Sequence, residues 1–251
     1  MEKTKKNQGL SPNQERIMSI LEYKKMTIIE RPEIIDLIKK HMQVKDIDDL
    51  ISKLLSKKKL IPIKKGIYAV VPFSSLDKTT KLSDIDIVDY LLGKDYYVGL
   101  CNAYNFHGFT EQIPNKLFVF NTKYSSDNKM LNYRFKFFKI KKDKLFGISD
   151  SRYPLRSNKE RTIIDVLDYP EYLGGLKKVL DQIKTISFDK KKLIGYAIKY
   201  KSIKVIKLVG LLTGSTELFK LLEKKKALGY YTTIKKTGTK LLNKKWKLRL
   251  I

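Results

Sequence analysis

At 251 residues the chain is long enough for one large or two small domains with ample core. Its 53 Lys+Arg against 26 Asp+Glu give a formal charge of +27, which favours a polyanionic partner; the excess is almost all lysine and is spread along the chain. The single cysteine, Cys101, excludes an intrachain disulfide framework, and no run approaches the roughly eighteen apolar residues of a membrane span, so a reducing, cytoplasmic setting is expected.

Residues 1–10 are charged, lack the apolar core of a secretory signal and are expected to form a disordered basic arm. A first helix is expected from Ser11 or Pro12 to about Tyr23, burying Ile17, Ile20 and Leu21. Met26 to Ile29 suits a short strand. Pro32 opens a second helix, where a missing N–H costs nothing, and Ile34, Ile35, Leu37 and Ile38 give it an apolar face. After a polar break at Lys40, His41, Met42 and Gln43, a third helix carries Val44, Ile47, Leu50, Ile51, Leu54 and Leu55 on one side. Lys58-Lys59 then leads into Leu60-Ile61-Pro62-Ile63, a turn at Lys64-Lys65-Gly66, and Ile67 to Val71. Gly66 supplies the positive φ that a tight hairpin turn requires.

Helix, turn, helix and basic wing over residues 11–73 is the order of a winged helix-turn-helix, and it points to double-stranded DNA. The expected donor surface is Lys45, Ser52, Lys53, Ser56, Lys57 and Lys59 with the wing lysines Lys64 and Lys65. Asp46, Asp48 and Asp49 oppose this, since they complement the helix dipole but repel phosphate. A winged helix used for protein interaction is the alternative.

Residues 74–83 are polar, with little to bury, and mark a linker. Beyond it, residues 84–251 read as a larger α+β domain with its helices in the later half, so the whole chain is of the α+β class. Ile85 to Leu92 is helical. Asp95 to Val98 leads into a small-residue helix, Gly99 to Phe106, ended by His107-Gly108. Leu117-Phe118-Val119-Phe120 is a buried strand. From Tyr133 to Ile140 rings alternate with cations, the period of a strand with one exposed face. Leu145 to Ile148 is a further short strand. Helical periodicity follows at 162–167, 173–183, 190–199, 203–212 and 218–225, and the tail from Tyr230 returns to strand-like structure around the one indole, Trp246.

Enzyme signatures are poor. The two histidines, His41 and His107, lie far apart with no Cys or His near either at ligand spacing, so neither a metal nor another cofactor is expected. Gly174-Gly175 reads as a turn rather than a phosphate cradle. Asp165, Asp168 and Glu171 could serve a metal-dependent nuclease, against the plainer view of a solvated helix face. Tyr133 to Lys139 could stack RNA bases, against the commoner explanation of rings in the core and lysines in water.

Several stretches together resemble the AbiEi family of abortive-infection antitoxins. They are 54–61 with Lys64-Lys65-Gly66-Ile67-Tyr68, Tyr96-Tyr97-Val98-Gly99-Leu100, His107-Gly108-Phe109-Thr110-Glu111-Gln112-Ile113-Pro114, Glu160-Arg161-Thr162-Ile163-Ile164-Asp165, and Asn243-Lys244-Lys245-Trp246. The similarity runs from about residue 12 to 250, and the His-Gly-Phe-Thr-Glu-Gln segment followed by Glu-Arg-Thr is its more specific part. The resemblance implies a winged helix joined to a C-terminal antitoxin domain. The protein would repress its own promoter and counteract a nucleotidyltransferase-type toxin. His107, Thr110, Glu111, Gln112 and Arg161, the polar members of the specific segments, are the candidates for the antitoxin function. The three aspartates at the start of the third helix and the high lysine content depart from the pattern.

Overall fold

A computed structural model describes residues 9–73, 75, 80–149, 154–234 and 240–251. The basic arm expected at 1–10 lies outside the described residues but for 9 and 10, and so does half of the linker expected at 74–83. The chain forms two compact units, one comprising residues up to 91 with 129–133, the other 92–128 with 134–251. The division falls at the end of the helix 84–92, before its last residue, whereas composition alone places it at 74–83. Ile87 and Val88 bury that helix, and its Tyr90 hydroxyl faces the Glu30 carboxylate of the first unit at 3.4 Å.

The first unit opens with α1 (Pro12–Tyr23), started by a capping box in which Ser11 and Gln14 satisfy each other's backbone. β1 (Ile28–Glu30), α2 (Arg31–His41), α3 (Ile47–Ser56), β2 (Leu60–Lys64) and β3 (Ile67–Val70) follow. The strands form an antiparallel sheet ordered β1-β3-β2, with Gly66 at φ +77° in the β2–β3 turn. This is a winged helix-turn-helix. Ile17, Met18 and Leu21 of α1, Ile34 and Ile38 of α2, and Leu50, Ile51 and Leu54 of α3 close one core over Leu60 and Tyr68. Met18 is fully buried where Ile20 is the sequence-based choice, a shift of half a turn on the helix face. α4 (Asp84–Leu92) completes the element order of this part of the chain.

The second unit is built on a six-stranded mixed sheet of β4 (Tyr96–Val98), β5 (Leu117–Asn121), β6 (Ser126–Met130), β7 (Tyr133–Lys139), β8 (Ile148–Ser149) and β9 (Arg156–Ser157), ordered β6-β7-β5-β4-β9-β8, with 129–133 at the end of the β6–β7 hairpin counted in the first unit. α5 (Leu100–Phe106) follows β4. The later helices are α6 (Lys159–Asp168), α7 (Leu176–Thr185), α8 (Lys190–Tyr200), α9 (Ile203–Thr213) and α10 (Thr216–Lys224). Four of these N-termini are closed by side chains of the expected types: Asn158, Asp189, Ser202 and Ser215 cap α6, α8, α9 and α10. A small sheet of β10 (Thr232–Ile234), β11 (Leu241–Asn243) and β12 (Leu248–Leu250) ends the chain.

Stacked rings fill the space between the large sheet and the helices. Tyr97, Phe120 and Phe138 succeed one another at centroid distances of 4.9 and 4.8 Å. On β7, Phe135, Phe137 and Phe138 are buried while Arg134 and Lys139 are exposed, so the ring-and-cation alternation there serves the core. Among the described residues no helix is long and apolar enough to cross a membrane.

Candidate nucleic-acid interface and basic cleft

In the first unit the question is which polar groups remain available after the fold has used what it needs. Asp46 caps α3 by accepting the Asp49 N–H at 2.9 Å. Asp48 pairs with the Arg31 guanidinium at 2.6 Å, and Asp49 with Lys53, one turn on, at 2.6 Å. Each of the three aspartates therefore has a local partner, and two of the three, Asp48 and Asp49, meet a cation within the unit. Arg31 was not legible as a functional residue. Its backbone N–H also donates to the carbonyl of Gly66, so one residue ties the start of α2 both to the wing turn and, through Asp48, to α3.

The expected donor surface divides into two groups. Lys45, Ser52, Lys53 and Ser56 are exposed on or beside α3, and Lys64 and Lys65 are exposed on the wing. Lys57 is a correction: its ammonium donates to the carbonyl of Gly9 at 2.7 Å and to Gln14 Oε1 at 2.9 Å, holding α3 to the chain entering α1. Gln14 is itself buried, and this accounts for the commitment of the amine. Lys59 is half-buried and lies 5.0 Å from the centroid of Phe73, whose ring it covers. Ser56 bonds back to the Lys53 carbonyl at 2.9 Å.

The five candidates for the antitoxin function do not form one constellation. Arg161, a candidate for the antitoxin function, is fully buried and reaches no surface, so it offers no group for direct contact with a partner. Its Nε bonds to Asp165 at 3.0 Å, one terminal nitrogen to the Lys144 carbonyl at 2.9 Å and the other to the Tyr97 hydroxyl at 2.6 Å. The rings of Tyr97, Phe146 and Tyr200 surround its guanidinium at 4.5–5.1 Å. Burial raises the Asp165 carboxyl to about 6 despite the adjacent Arg161, and it lifts the Tyr97 hydroxyl well above its usual value. Asp168 takes the Tyr200 hydroxyl at 2.6 Å and the Lys204 ammonium at 2.8 Å. The carboxylates considered for a nuclease are thus bound into a structural network, and Glu171 stands exposed beside it.

Thr110 sits in a local turn, its hydroxyl accepting the Gln112 N–H at 3.2 Å while its carbonyl accepts from Asn105 at 3.1 Å. Glu111 and Gln112 are exposed. Thr110 and Gln112 line one cleft with Cys101, Phe118 and Tyr172, and burial pushes the Cys101 thiol up to about 11.

His107 belongs to a different cleft, of about 400 Å³, with Phe106, Arg156, Lys159, Glu160 and Lys192. Its Nε2 donates to the Ser157 carbonyl at 2.8 Å, and burial with the neighbouring Lys159 and Arg156 lowers its pKa, which disfavours the charged ring. Arg156 covers the Phe106 ring at 3.6 Å, and burial lowers its pKa too. Glu160 pairs with Lys192 at 2.9 Å and accepts the Asp189 N–H at 3.2 Å; these contacts outweigh burial and lower its pKa. Arg156, Lys159 and Lys192 were not legible as a group, because 36 residues separate the first from the last.

No protein-family model matches the chain, and no curated sequence matches it. Among solved structures, the chain is similar to the RV2827C protein from Mycobacterium tuberculosis, with a TM-score of 0.64 and 12% sequence identity over 97% of this chain and 93% of that one. At that identity the likeness bears on the fold, and it extends through both units.

Proposed function

We propose that the protein is a DNA-binding transcriptional regulator that represses its own promoter, with an antitoxin function in the second unit directed against a nucleotidyltransferase-type toxin. The observation that carries the DNA-binding half is the wing. Two adjacent lysines, Lys64 and Lys65, project from the turn of a β1-β3-β2 sheet beside a helix-turn-helix whose acidic residues already have local partners. Lysines in that position supply phosphate contacts, while Ser52 and Lys53 on α3 are placed to bias sequence preference. The antitoxin half rests on the family resemblance of the His107 to Pro114 and Glu160 to Asp165 segments. The reading assigns the protein no catalytic step.

The test uses the full chain and a labelled duplex taken from upstream of its own coding sequence, followed by fluorescence anisotropy over a salt series. Lys64→Ala with Lys65→Ala is expected to weaken binding to all duplexes and to reduce the slope of log K against log salt by roughly 0.9 per lost contact. Lys57→Met, whose amine faces Gly9 and Gln14, should leave that slope unchanged. An unchanged slope in the wing double variant sinks the DNA-binding assignment. For the second half, co-expression with the neighbouring toxin gene should restore growth even in the wing variant; rescue that disappears with the wing would show that protection works only through repression.

A further inference from the structure

The cleft beside His107 has no part in the DNA-binding reading, and its chemistry calls for an occupant of its own. Three cationic side chains, Arg156, Lys159 and Lys192, face a single carboxylate, Glu160, across it. Glu160 is already held by Lys192 and by the Asp189 N–H, which leaves Arg156 and Lys159, among the described residues, as the cations without a carboxylate contact at the cleft. Among the described residues the Nε of Arg156 is buried with no hydrogen-bond partner. A guanidinium N–H removed from water and left without an acceptor is costly, and an incoming anion removes that cost. The first turn of α6 starts at Lys159, so the positive end of a ten-residue helix adds to the same lining. Phe106, half exposed and covered on one side by Arg156, offers an aromatic surface next to the charge.

We propose that this cleft binds a phosphoryl group, held by the Arg156 guanidinium and the Lys159 ammonium, with Phe106 positioned against an attached nucleoside. A planar guanidinium matches phosphate oxygens two at a time, which a lone ammonium cannot do. The cleft volume of about 400 Å³ falls within the roughly 300–1,000 Å³ of small-molecule sites, so a mononucleotide or the end of a nucleic-acid strand can enter where the side of a duplex cannot. His107 gives the site a second signature. In the free protein its Nε2 proton is donated to Ser157, and an anion beside the ring favours protonation of the other nitrogen. The groups facing it are Lys159 and Arg156, which oppose that protonation, and Glu160, which favours it.

The experiment is calorimetric titration of the full chain with adenosine 5′-monophosphate, inorganic phosphate and adenosine, and anisotropy with a single-stranded oligonucleotide with or without a 5′-phosphate. Saturable binding of the phosphate-bearing probes, and none of adenosine, is expected. Arg156→Gln and Lys159→Gln should each weaken it by roughly tenfold, the loss of one charge-assisted bond. Lys191→Gln, which removes an equal charge from an exposed position outside the cleft, should not. Lys159 is exposed, so its variant tests the site even if Arg156→Gln fails to fold. With only two histidines in the chain, the His107 resonance can be followed directly, and its pKa should rise when phosphate binds. Preference for the 5′-phosphorylated strand over the mononucleotide assigns the site to nucleic-acid ends, and the reverse to free nucleotides; either supports a phosphoryl site. Absence of saturable binding by every phosphate-bearing probe, or an equal loss in Lys191→Gln, overturns it. The wing variant should keep its affinity for the mononucleotide, which separates this site from the DNA-binding assignment.

Discussion

Replacing Arg161 with Met distinguishes a structural from a recognition role, and the network around it sets the size of the effect. Arg161 is fully buried and makes three hydrogen bonds, to Asp165, the Lys144 carbonyl and the Tyr97 hydroxyl, within a cage of three rings. Breaking a buried ion pair from one side costs about 3–5 kcal/mol, because the remaining charge is stranded. Here the loss is bounded. Burial already raises Asp165 to about 6, so without Arg161 the carboxyl takes up a proton at neutral pH instead of remaining as an unpaired anion. We therefore expect about 3 kcal/mol, equivalent to a fall in Tm on the order of 10 °C for a chain of this size. Urea unfolding followed by the emission of Trp246, the sole tryptophan and nearly buried, reports on the second unit. Adding Asp165→Asn to the variant should recover about 1 kcal/mol or more, since the amide still accepts from the Tyr97 hydroxyl and is neutral without the cost of taking up a proton at pH 7. A loss below about 1 kcal/mol in Arg161→Met, or strictly additive effects in the pair, would refute the account.

Two further consequences can be checked with the same assay. The Asp165 carboxyl is raised in the folded state, so its stabilising contribution is complete below the ordinary carboxylate pKa and is lost as pH rises through about 6. Asp165→Asn should flatten the stability profile between roughly pH 4 and 6, and parallel profiles for the two proteins would count against this shift. Gly210→Ala should destabilise the second unit by about 1–3 kcal/mol and shift the indole emission, because an added Cβ would lie 2.2 Å from the Trp246 ring; an unchanged spectrum and midpoint would mean that the ring does not pack there.

The parts of the fold that follow from periodicity are legible in the sequence. The spacing of Leu50, Ile51 and Leu54 marks the buried side of α3, and the hairpin follows from Gly66 between two apolar runs. β4 is not legible, because Tyr96, Tyr97 and Val98 are buried on both faces and three residues show no alternation. β6 reads Ser-Asp-Asn-Lys-Met, a loop by composition, and is a strand only because β7 offers its edge. Side-chain fate is the least legible of all. Arg161 and Lys207 are both fully buried in a chain where cations otherwise signal surface, and Lys207 is kept there by the carbonyl of Tyr230 and the hydroxyl of Thr232. Such partners come from distant segments, so the burial of Arg161 was as illegible as the place of Arg156 in the cleft.

The aspartates of α3 show how the same limitation bears on function. Taken along the sequence, three acids at the N-terminal turn argue against phosphate approaching that helix. In space each has a partner, but the neutralisation also engages Arg31 and Lys53, so the start of α3 gains no surplus of positive charge. On the proposed reading, electrostatic attraction must then come from elsewhere in the unit. The wing is the place where adjacent lysines are exposed on a turn whose base is pinned, through the Arg31 N–H, to the start of α2. Such a division would leave α3 to discriminate among sequences at little cost in charge and the wing to set affinity. The two should therefore separate in a salt series: wing variants alter the slope, and α3 variants alter the order in which duplexes are preferred.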